Sequence, residues 1–86
     1  MEFVIDGRNM TARRSAHEEI AKALSFPGYY GHNLDALYDM LSTFEGTAKL
    51  AHVAEMLNSL GGYGCSLLKT FFDAAEANKR FSFVAE

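Results

Sequence analysis

The two ends of this chain are strand-like and the long stretch between them repeats with helical periods, an arrangement that constrains the fold more than any other feature. Phe3, Val4 and Ile5 make a short apolar run that Asp6-Gly7 ends, and Phe81, Phe83 and Val84 make a second near the other terminus. Strands separated by helices cannot be joined by hairpins. They need crossover connections, so the sheet they enter is parallel and packs against the helices. Ser15 and Glu18 give a capping-box pattern, and Ala16, Ile20, Ala23 and Leu24 give the buried stripe of a first helix that must stop before Pro27. A second helix opens on Asn33, a favoured N-cap, carries Leu34, Leu37, Leu41 and Phe44 as its apolar stripe, and ends near Phe44 to Gly46. Val53, Met56, Leu57 and Leu60 mark a third helix closed by Gly61-Gly62, and Leu67, Leu68, Phe71, Phe72 and Ala75 mark a strongly amphipathic last one. Thr47 to His52 reads either way, because Ala48, Leu50 and Ala51 suit a helix as well as a strand.

The 86 residues make a single domain, 1–86, with one core and no room for two sizeable sites. A net charge of −3 opposes nucleic acid, since a binder must neutralise phosphates with Lys and Arg. The one cysteine, Cys65, excludes an internal disulfide framework, suits a reducing compartment and reads as a small core residue. The start Met1-Glu2-Phe3-Val4-Ile5-Asp6 has neither a basic region nor a long apolar run, and no other segment has the length and character of a membrane span. The expectation is a cytoplasmic protein with no membrane or nucleic-acid partner.

Function concentrates in the stretch from Phe26 to Leu41, where an aromatic, glycine-bearing loop runs into a short acidic helix. No Lys or Arg occurs between Lys22 and Lys49, so this region carries an unbalanced negative field that attracts cationic partners. Asp35, Asp39 and Ser42 fall on a different face of the helix from the leucines. Asp35 and Asp39 are neighbours one turn apart, a like-charge pairing that costs a few tenths of a kcal/mol. Asp35 also lies in the first turn, where the helix dipole favours it.

The segment Pro27-Gly28-Tyr29-Tyr30-Gly31-His32-Asn33-Leu34-Asp35-Ala36-Leu37-Tyr38-Asp39 closely resembles the signature of the barstar family, intracellular protein inhibitors of a small secreted ribonuclease. The opening strand, the loop and acidic helix, and the terminal helix and strand follow the family's order, while Thr47 to Tyr63 matches poorly. The resemblance implies an α/β fold in which a three-stranded parallel sheet is covered by about four helices, in the order strand, two helices, strand, two helices, strand. It also places a strand at 47–52. The expectation is a stoichiometric inhibitor, monomeric when free, that needs no cofactor or metal and is not an enzyme. By the same resemblance Asp39 is the central carboxylate in the nuclease's phosphate site, Asp35 its neighbour, Tyr29 a stacking group and Glu76 a peripheral acid on the last helix. Tyr30, Gly31, Asn33, Tyr38, Ser42 and Phe44 complete the implied partner-binding surface, with main-chain groups between Tyr29 and Asn33 reaching the partner directly. Tyr38 and Phe44 stand where the best-known member has tryptophans, and His32 and Arg80 stand where it has acids. Two rim charges are therefore gone, so steering of a cationic partner is expected to be weaker.

Other chemistries fit less well. Paired carboxylates near His32 and His17 could serve as acid and base, but one exposed helix offers no enclosing pocket. His32, Asp35 and Asp39 supply three metal-ligand types without a fourth, and the Asn33 cap leaves His32 outside the helix. An acidic interaction module with a target other than a nuclease is the main alternative.

Overall fold

The strand signals at the two ends become the edges of one sheet, and the ambiguous stretch between them becomes its centre. In a computed structural model that describes residues 1–86, the strands are β1 (Glu2–Asp6), β2 (Gly46–Ala51) and β3 (Phe81–Ala85). The helices are α1 (Arg13–Leu24), α2 (Leu34–Leu41), α3 (Val53–Leu60) and α4 (Gly62–Ala77), and a single 3-10 turn at Gly7–Asn9 follows β1. The sheet is parallel throughout, in the order β1-β2-β3. Residues 47–51 are thus strand. Ala48 and Leu50 are buried and alternate with half-buried Thr47, Lys49 and Ala51, and Leu50 lies between Ile5 on one side and Ala85 on the other. Pairing on both flanks decides what intrinsic preference leaves open.

The helices cover one face of the sheet. Ile5, Ala48, Leu50 and Phe81 point into it and join Ile20, Leu24, Leu37, Leu41, Met56, Leu67 and Phe71 in one core. Phe83 stacks on Phe71 with ring centroids 4.4 Å apart. The opposite face is open, with Val4, Lys49 and Val84 in one row and the Lys49 ammonium 2.6 Å from Glu86.

Several boundaries differ from the sequence expectation, each for an identifiable reason. Ser15 is not the N-cap of α1 but its third residue. Extended Ala12 is the cap, and the Ser15 hydroxyl reaches back to accept from the Ala12 and Thr11 amides at 2.9 and 3.2 Å, while Glu18 pairs with Arg14 instead. The second helix stops at Leu41, short of Phe44. Asn78, beyond the end of α4, donates from its side-chain amide to the carbonyls of Leu41 and Phe44, both at 2.9 Å, and satisfies helix-end acceptors that a further turn would have used. Gly46 then enters β2 at φ 135°, a conformation that favours glycine. α4 begins at Gly62, so only Gly61 separates it from α3. Its buried positions are Gly64, Leu67, Phe71 and Ala74, which leaves Phe72 half exposed and Cys65 exposed one position off the stripe. Cys65 is therefore a surface residue rather than part of the core.

Candidate functional site

Pro27, Gly28, Tyr29 and Tyr30 form a tight turn, closed by the Tyr30 amide donating to the Pro27 carbonyl at 3.0 Å. The turn sends two adjacent tyrosines in opposite directions: Tyr29 is 83% exposed and Tyr30 only 4%. Tyr30 packs on Phe26 and His32, with centroids 5.0 and 5.1 Å away, and its hydroxyl meets Nδ1 of His17 at 2.6 Å. His17 is fully buried, and its Nε2 meets the Tyr63 hydroxyl, also at 2.6 Å. A neutral imidazole has one donor and one acceptor nitrogen, so one tyrosine accepts from the ring and the other donates to it. Burial, aided by nearby His32, pushes the His17 pKa down to about 4, and burial pushes both tyrosine hydroxyls up. All three groups are held neutral. The triad ties the loop to α1 and α4.

Beyond the loop, the Asn33 side-chain oxygen accepts from the Ala36 amide at 2.8 Å and starts α2, while its amide nitrogen donates to the Gly31 carbonyl at 3.1 Å. A Cβ on Gly31 would lie 3.2 Å from that of Ala36, so a larger residue would crowd the loop against the first turn of α2. Leu37 and Leu41 are buried against the core, and Asp35, Tyr38, Asp39 and Ser42 are exposed on the outer side of α2. Ser42 caps the helix end, donating from its hydroxyl to the Asp39 carbonyl at 2.6 Å. α4 lies beside α2, and Tyr38 shares a shallow groove with Asp73, Glu76 and Ala77. Phe44 is half-buried and set edge-on to Phe3, Phe26 and Phe81, so its ring serves the core.

The pairing of charges separates this surface from the rest of the molecule. Seven of the eleven acids have partners within the chain: Asp6 with Arg8, Glu18 with Arg14, Glu19 with the Asp6 amide, Glu45 with Arg80, Glu55 with His52, Asp73 with Lys69 and Glu86 with Lys49. The carboxylates of Asp35, Asp39 and Glu76 have none, and Glu2 is the only other acid so placed. Asp39 also stands in the last turn of α2, where the dipole disfavours an anion and no basic residue compensates. Exposed carboxylates fixed on a short helix, one turn apart, can accept charge-assisted hydrogen bonds from arginine, lysine or imidazolium. His32, Asp35 and Asp39 do not come together as a metal-ligand group.

His17 and Tyr63 lie outside the surface marked by the sequence, yet they hold its loop in place. Spacing carried a signal for His17, three residues before Ile20 and seven before Leu24 on the buried stripe of α1. No comparable signal marked Tyr63, which meets His17 only because the start of α4 comes beside α1 in the fold.

Residues 1–86 match the family Barstar (barnase inhibitor). A protein of Bacillus subtilis strain 168 named "Putative ribonuclease inhibitor YrdF" is 33% identical over 81 residues, spanning 91% of this chain and 89% of that protein. The chain belongs to the barstar family.

Proposed function

We propose that this barstar-family chain is a stoichiometric inhibitor of a small basic ribonuclease of the secreted type, which it blocks by laying α2 and the Tyr29 loop into the active site. Family membership and the ribonuclease-inhibitor relative support an inhibitory rather than an enzymatic role. The observation that carries the finer reading is the set of unpaired carboxylates Asp35, Asp39 and Glu76 on one exposed surface of a chain that pairs most of its other acids.

A site that cleaves RNA binds a polyanion and so presents Arg, Lys and His. Asp39, flanked by Asp35, stands where a phosphate would stand and accepts those donors in a dried interface. Tyr29, already outside the fold, adds flat area that stacks on a guanidinium or imidazole. Main-chain groups near Gly31 come close to the partner, Tyr38 and Ser42 border the carboxylates, and Glu76 extends the acidic field across α4. Tyr30 and Phe44 contribute from beneath, by holding the loop and the end of α2. The inhibitor acts as a monomer in the cytoplasm and needs neither metal nor cofactor; no helix of the chain is long and apolar enough to cross a membrane.

Titration of RNA cleavage by a panel of barnase-like ribonucleases tests this reading. At least one enzyme is expected to lose its activity at equimolar inhibitor, with association slowing as ionic strength rises. A panel with no inhibited member shifts the reading to an acidic module whose target is not a nuclease.

A further inference from the structure

Beside the acidic surface lies a groove of mixed charge, with Arg13 and Arg14 on one wall and Asp35 on the other, completed by His32, Asn33, Leu34 and Tyr63. It runs between the start of α1 and the corner where the loop becomes α2. Asp35 and Leu34 border it and also border the groove between α2 and α4, so a partner that covers Asp35 reaches both.

Arg13 sets this groove apart. The other three arginines are paired, Arg8 with Asp6, Arg14 with Glu18 and Arg80 with Glu45. Arg13 has no ion pair or side-chain hydrogen bond, yet its guanidinium is held over the Tyr63 ring, 4.5 Å from the centroid. Stacking on an aromatic face orients a guanidinium and leaves the donors in its own plane open. Helix stability does not account for the position either, because Arg13 and Arg14 occupy the first turn of α1, where the dipole disfavours cations and no acid is present.

We infer that this groove receives a carboxylate side chain of the partner ribonuclease, held by the guanidinium of Arg13. The inference rests on the inhibitor reading and adds a specificity element to it. The contact surface becomes bipolar: α2 and α4 present acids to the catalytic cations of the enzyme, and the start of α1 presents an arginine to an acid at the rim of the enzyme's cleft. A carboxylate bound bidentately by a pre-oriented guanidinium gains directional hydrogen bonds that a surface lysine would not supply.

Charge reversal gives a test with an unusual sign. A basic partner rewards the loss of any arginine from its inhibitor, unless that arginine meets an acid. With a ribonuclease that the parent chain inhibits, Arg13→Glu is expected to weaken inhibition by about tenfold or more, while Arg80→Glu, which restores an acid at the rim, tightens it. Arg13→Gln is expected to fall between parent and Arg13→Glu. Melting temperatures of the free variants check that all remain folded. Arg13→Lys supplies a second readout, since carbodiimide treatment of its complex is expected to join the introduced amine to an Asp or Glu of the enzyme, identifiable by mass spectrometry. Inhibition that is unchanged or tighter in Arg13→Glu, or the lack of that cross-link, overturns this inference and leaves the inhibitor reading standing. A panel with no inhibited ribonuclease overturns both.

Discussion

Tyr29 and Tyr30 are consecutive residues of the same type, and the fold uses them for opposite purposes. Tyr29 stands in solvent beside a helix face whose carboxylates have no partner in the chain. Tyr30 closes a buried chain of hydrogen bonds through His17 to Tyr63. The contrast extends to the regions they belong to: the outer side of α2 leaves its carboxylates open, whereas the layer beneath has no buried side-chain donor or acceptor unsatisfied. Open groups are available to a partner, and satisfied ones keep them in place. Changes in the lower layer should therefore act on stability, and changes in the upper layer on binding.

Tyr30→Ala is expected to have the largest effect on the lower layer, about 3 to 5 kcal/mol of stability by chemical denaturation, because it empties a packed site between Phe26, His32 and His17. Tyr30→Phe keeps the ring and removes the hydroxyl, leaving a His17 nitrogen buried without its partner, and should cost about 1 to 3 kcal/mol. A stability loss in Tyr29→Ala as large as that in Tyr30→Ala would break the comparison.

The pH dependence of stability sharpens it. His17 is held at about 4 in the folded protein against an ordinary value of 6.5, so between those values the unfolded chain binds the extra proton. Its stabilising contribution is complete above pH 6.5 and is lost as pH falls through 4, with a ceiling of about 3 kcal/mol. His17→Gln should flatten the rise in denaturation free energy between pH 4 and 6.5; an unchanged slope would show that other groups carry it.

The smallest expected effect belongs to Tyr29→Ala. Binding should weaken by about 1 to 2 kcal/mol through lost stacking, with stability within about 0.5 kcal/mol of the parent.

Sequence periodicity reveals these layers unevenly. Asn33 as a cap and Leu37 and Leu41 as the inner face of α2 are local facts, readable from spacing, and they orient Asp35 and Asp39 outward without any tertiary knowledge. β2 is not local. Ala48 and Leu50 permit helix or strand, and pairing with β1 and β3 decides between them. The early stop of α2 depends on Asn78, nearly forty residues away in sequence, and the exposure of Cys65 depends on α4 starting at Gly62, ahead of its apolar stripe. The His17 triad needed three separate segments to meet. The two faces of α2 are legible in advance, while features made by several elements emerge only when the elements assemble.

Asp39→Ala, measured for both inhibition and stability, tests most directly whether the open face binds and the layer beneath it supports. A carboxylate facing several cations in a dried interface loses charge-assisted bonds and leaves those cations unpaired, so inhibition of a susceptible ribonuclease should weaken by about 2 to 5 kcal/mol or more, a range drawn partly from the related barnase–barstar pair. The free protein should melt at the parent temperature or slightly above, since the repulsion with Asp35 is relieved. A variant that unfolds, or one that inhibits as tightly as the parent, would place Asp39 in the scaffold or outside the interface and contradict the account.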